Sequence, residues 1–129
     1  MDYYFTTTVN TLTFDQAIDK VTLELQKEGF GILTEIDIKA TLHKKLGVDF
    51  YNYKILGACN APFAHKALQA EDKIGTMLPC NIIVQEKEPG IIEVSSVDPS
   101  ASMQAIKNES LGSIANEVRD KLKKVITNL

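Results

Sequence analysis

The stretch CNIIVQEKEPGIIEVSSV constrains the fold more than any other part of the chain. Two apolar runs, Cys80–Gln85 and Ile91–Val97, flank a link from Glu86 to Gly90 that contains Pro89-Gly90. Short apolar runs bounded by turn residues read as strands, and a Pro-Gly pair marks a reversal between them. The segment predicts an antiparallel hairpin whose loop is longer than two residues.

Upstream, strands and helices are interleaved. Tyr3–Val9 is rich in aromatics and threonine and reads as a first strand. Thr13 and Gln16 form a capping box that opens a helix with Phe14, Ile18, Val21 and Leu25 at helical spacing. Gly29 ends it. Phe30–Ile38 alternates apolar and polar residues, apart from Leu33 and Thr34, and fits a strand with one wet face. Lys39–Leu46 reads as a short helix and Tyr53–Cys59 as a buried strand. Asn60 is placed to cap the next helix, with Pro62 in its first turn and Phe63, Ala67, Ala70 and Ile74 on one stripe until Gly75 and Pro79 stop it. Asp98-Pro99-Ser100 opens a loop or short helix around Met103 and Ile106. From about Ser110 to Ile126, Leu111, Ile114, Val118, Leu122 and Val125 make the apolar face of a closing helix. Mixed ordering with a late hairpin gives an α+β fold: a single mixed, largely antiparallel sheet with helices packed mainly on one face.

At 129 residues the chain is one domain, residues 1–129, and no linker divides it. A net charge of −3 offers no basic field to hold nucleic acid. No apolar run approaches the roughly 20 residues that span a bilayer. The N-terminus lacks the basic and apolar regions of a signal peptide, so the expected location is cytoplasmic, where a structural disulfide is not expected.

The only two cysteines occur in a repeated dipeptide, Cys59-Asn60 and Cys80-Asn81. A thiol preceding a helix N-terminus is favoured as thiolate by free N–H groups and the helix dipole, which makes Cys59 the leading candidate. His65, in the same helix, is a candidate base or co-ligand, and Cys80 begins the next strand. The bland alternative is that both thiols are core residues, since free cysteine is among the most buried residue types. Their spacing matches no zinc motif. A metal would need both thiols with His65 or Met77, a donor set suited to copper(I) or zinc. Glu35 and Asp37 alternate on one strand face, with Lys39 and Lys54 as possible partners. Solvent-facing residues on a half-wet strand are the better reading of them than acid–base chemistry. His43, in HKK, reads as a surface histidine. No phosphate-binding, dinucleotide, zincin or nucleophile-elbow motif is present.

Three stretches, GFGILTEIDIKATLHKKLGVDF, YKILGACNAPFAHKALQ and GTMLPCNIIV, together resemble the family catalogued as domain of unknown function 302, a small prokaryotic domain. The resemblance runs from about Phe30 to Val97, with the closing helix also in place. It implies an α+β fold that pairs into homodimers, and it implies no established activity. The family's motif positions correspond to Glu35, Asp37, Lys39, Gly57, Cys59, Asn60, Pro62, His65, Pro79, Cys80 and Asn81. Ala61 stands where the family often has proline, and Thr76-Met77 where two aliphatic residues are expected.

Three functions fit these residues. The first is a cytosolic homodimer that binds a small ligand or soft metal near Cys59, with Asn60 orienting the turn, His65 and Cys80 assisting, and Glu35, Asp37 and Lys39 at the mouth of the site. The second is a thiol-redox enzyme or sensor that uses Cys59 and Cys80. The third is a structural or interaction module without catalysis.

Overall fold

A computed structural model describes residues 2–129. Strands β1 (Tyr4–Val9), β2 (Gly31–Asp37), β3 (Asn52–Cys59), β4 (Cys80–Glu88) and β5 (Ile91–Val97) form one sheet in the order β1-β5-β4-β3-β2. All four pairings among the described residues are antiparallel, so the α+β sheet is more uniform than a mixed one. The helices are α1 (Phe14–Lys27), α2 (Ile38–Leu46), α3 (Ala61–Ala70), α4 (Pro99–Ser102) and α5 (Glu109–Thr127). Among the described residues no helix is long and apolar enough to cross a membrane.

Period-two alternation decides which face is covered. Leu56 and Ala58 on β3, Ile82 and Val84 on β4, and Ile92 and Val94 on β5 are essentially inaccessible. They pack against Ala17, Val21 and Leu25 of α1 and Val118, Leu122 and Val125 of α5. Each such aliphatic side chain contributes roughly 1.5–3 kcal/mol by leaving water. α1 joins β1 to β2, the two edges of the sheet, and so has to cross the covered face. The Thr13–Gln16 capping box is formed in both directions.

Four local features differ from the sequence expectation. The hairpin turn is only Pro89-Gly90, since Glu88 pairs with Ile91; the extra residues are absorbed by a register shift between Gln85 and Glu88. Gly90 takes a positive φ of 83°, as the third position of a Pro-Gly turn requires. β2 is an edge strand, and a register shift at Ile32/Thr34 leaves Leu33 66% exposed, which is why alternation fails there. Asp37 ends β2 by capping α2, accepting from the Ala40 N–H at 2.9 Å. Helix α3 stops at Ala70; Ile74 lies in a separate 3-10 turn, Ile74–Met77, and packs with Ala67 and Leu111 in a small second cluster.

Two glycines give opposite expectations. A Cβ on Gly57 would overlap Thr34 Oγ1 and lie 2.7 Å from Pro79 Cγ, whereas one on Gly112, within α5, meets nothing within 4 Å. Gly57→Ala is expected to destabilise by about 1–3 kcal/mol. Gly112→Ala should stabilise by about 0.5–1 kcal/mol. Urea unfolding midpoints check both.

The hairpin also titrates. Glu86 accepts from Asn52 Nδ2 at 2.9 Å and from the Gly90 N–H at 3.0 Å, which hold its carboxyl below the ordinary value. A depressed folded pKa stabilises above the unfolded value and is lost as pH falls through the folded one. Hydrogen-exchange protection of the Gly90 amide should therefore persist through the ordinary glutamate range and fall only as pH drops below it. Glu86→Gln should remove that dependence.

Candidate functional site

The two Cys-Asn pairs are built with opposite orientations. In the first, Cys59 is half-buried and Asn60 buried; in the second, Cys80 is buried and Asn81 exposed. The β3–β4 register explains the mismatch, because Cys80 pairs with Ala58 rather than with Cys59. Both thiols are free.

Asn60 precedes α3 but does not cap it with its side chain. Its Nδ2 instead donates to the Glu28 carbonyl at 3.2 Å, tying the end of β3 to the α1–β2 turn. Gly29 sits beside this amide with φ 86°, and a Cβ there would come within 3.0 Å of Asn60 Nδ2. Asn60 holds the N-cap position of α3, where its carbonyl accepts from the Ala64 N–H at 2.9 Å, but its side chain braces the neighbouring turn instead of the helix.

Cys59, Asn60 and Cys80 line one cavity of about 290 Å³. Its other walls include Phe63, Ala64 and Leu68 of α3, Leu78 and Pro79, Met103, and Leu111 and Ile114 of α5. The lining is almost wholly apolar. Burial, reinforced by the nearby Cys59, pushes the Cys80 thiol up to about 11. Cys80 is thus a neutral thiol at physiological pH and a poor nucleophile. At the margin, the Lys66 and Lys121 ammonium groups lie 5.6 and 5.9 Å from the Phe63 ring centroid.

The remaining expected residues lie elsewhere. His65 is exposed on α3 and is not part of the cavity wall, which takes Phe63, Ala64, Ala67 and Leu68 from that helix. Met77 is also exposed and outside the cavity. Among the described residues no group of three or more His, Cys, Asp and Glu side chains is arranged to hold a metal ion. Glu35, Asp37 and Lys39 are not at the mouth of the cavity. Gly31 pairs with Cys59 while Asp37 pairs with Lys54, so the acidic pair lies toward the opposite end of β2, some ~12–20 Å away along the strand. There Glu35 forms an ion pair with Lys54 at 2.8 Å, which raises the Lys54 pKa, while Asp37 caps α2. Lys39 and the exposed His43 border a shallow depression with Asp37, Asp49 and Phe50.

The cavity residues missed in the sequence, Leu68, Leu78 and Met103, look like core or surface positions there. A wall and a packed core carry the same apolar spacing.

Iodoacetamide should label Cys59 first. Cys80 should react at least ~100-fold more slowly in the native protein than after unfolding in urea, because a raised pKa removes thiolate. Mass spectrometry of the two peptides reads each rate. Asn60→Ala is expected to cost about 0.5–1.5 kcal/mol by removing the part-buried hydrogen bond to the Glu28 carbonyl. Asn81→Ala, at an exposed position, should stay within about 0.5 kcal/mol of the parent.

A family model described as "Domain of unknown function DUF302" matches residues 5–129. The fold is also that of a solved structure, "Crystal structure of uncharacterized conserved protein DUF302 from Bacillus stearothermophilus", with a TM-score of 0.89, 26% identity and 98% of each chain covered. No curated protein matches the chain. With the family model spanning all but the first four residues, the chain belongs to the DUF302 family.

Proposed function

We propose that the domain is a binding module for a small apolar molecule, held in the cavity beside Cys59. The observation that supports this reading is the cavity itself: about 290 Å³, apolar, and walled by α3, α5 and the ends of β3 and β4. Sites for small ligands are typically concave and apolar with a few polar groups that fix orientation. Here Cys59 and Asn60 are those groups. Binding is favoured over a soft-metal site, since among the described residues no third His, Cys, Asp or Glu joins the two thiols and the expected His65 and Met77 lie outside the cavity. It is also favoured over a dithiol redox couple, since Cys80 is a neutral, buried thiol whose cross-strand partner is Ala58. In this reading the protein works in the cytosol, where two free thiols stay reduced.

A second copy of the chain is part of the same reading. β2 ends the sheet and carries Leu33 and Ile36 exposed, and an unpaired apolar edge of this kind is a surface that another strand covers. Light scattering should give twice the 14.3 kDa chain mass, and Ile36→Lys should shift the protein toward monomer.

Indole is a suitable first probe of the cavity. It should shift the methyl resonances of Leu68, Leu78 and Met103 and slow alkylation of Cys59. Ala64→Phe, which fills the space, should abolish both effects while the fold persists. Indole shifts that survive in Ala64→Phe, or an alkylation rate at Cys59 unchanged by bound indole, would remove the reading.

A further inference from the structure

The helix-free face of the sheet carries a second concavity, separate from the cysteine cavity. It is a groove of about 470 Å³ bordered by Tyr3, Tyr4 and Tyr53, with Asn81, Ile83, Gln85 and Ser95 among its lining residues. The register places Thr6, Ser95, Ile83 and Ile55 in one row across this face, and Glu93, Gln85 and Tyr53 in the next.

Gln85 is the informative residue. It is only 8% exposed, yet its one side-chain bond is a long 3.4 Å contact from Nε2 to the Tyr51 hydroxyl. No fully buried side-chain nitrogen or oxygen among the described residues lacks a partner, so the unpaired Oε1 opens into the groove. An amide set this deep, with its oxygen reachable from the groove, presents a positioned hydrogen-bonding group that water holds until a ligand hydroxyl replaces it. Ser95, also buried, donates to Thr6 Oγ1 at 3.0 Å and keeps acceptor capacity.

From this groove we infer a binding site for a neutral saccharide. Its floor offers amides and a hydroxyl, which both donate and accept, and sugar hydroxyls do the same. The tyrosines supply apolar ring faces for C–H groups beside polar tips. One Lys87 and one Glu93 border the groove, so no net charge selects an ion. Burial, with Tyr51 and Tyr3 nearby, raises the Tyr53 pKa and keeps its phenol a neutral donor. A planar nucleobase fits less well. Tyr3 and Tyr4 meet edge to face at 70°, and Tyr53 is tilted by 50° and 44° to Phe50 and Tyr51, so these pairs present no parallel slot.

Amide NMR of the isotope-labelled protein, titrated with maltose and cellobiose and separately with adenosine, tests the inference. Either disaccharide should shift Asn81, Gln85 and Ser95, and Gln85→Ala should weaken that binding at least tenfold. Tyr53→Leu provides a second variant should Gln85→Ala unfold, with the same loss expected. Adenosine binding in place of both sugars would overturn the inference, as would no shift with either sugar. Sugar shifts unaltered in a folded Gln85→Ala or Tyr53→Leu protein would do so too.

Discussion

A single layer of helices covers one face of the sheet, and that one-sidedness organises the molecule. Alternation along β3, β4 and β5 sends six essentially inaccessible side chains to one side, where α1 and α5 lie over them. The opposite side receives tyrosines, hydroxyls and amides. The cysteine cavity forms where the covering layer meets the end of the sheet: α3 approaches β3 and β4 there without filling the space above their ends. The groove on the other face is bordered by strand residues and the start of the chain, with no helix residue in its lining.

Much of this architecture was legible in the sequence. The α+β class, the hairpin, the capping box and the faces of α1 and α5 follow from local periodicity and turn chemistry. What local pattern did not carry was the register. The bulges at Ile32/Thr34 and Gln85/Glu88 depend on pairing between strands, and only pairing shows that Cys80 faces Ala58 and not Cys59. The same limit explains the repeated dipeptide. Identical letters at Cys59-Asn60 and Cys80-Asn81 look like duplicate sites, yet one buries its amide and the other its thiol.

The candidate residues divide along similar lines. Cys59, Asn60 and Cys80 share a cavity, which their nearness to strand ends hinted at. His65 does not join them, because its position on α3 is turned from the wall formed by Ala64, Ala67 and Leu68. Glu35 and Asp37 are explained without chemistry: Lys54 answers the first and a helix N-terminus the second. Gln85 was invisible as a site residue, since a lone glutamine in an apolar run reads as the polar face of a strand.

The position of β1 has a consequence for how the chain is assembled. Its partner is β5, with Tyr4 opposite Val97, so its backbone groups find no ladder until most of the chain exists. During synthesis the first strand cannot pair until β5 has been made, and a contact that closes so long a span is of the kind that slows folding. Tyr3 and Tyr4 come with it. The tyrosine border of the open groove is therefore completed only when the two ends of the sheet sequence meet: before that the groove has its floor and Tyr53, but neither Tyr3 nor Tyr4.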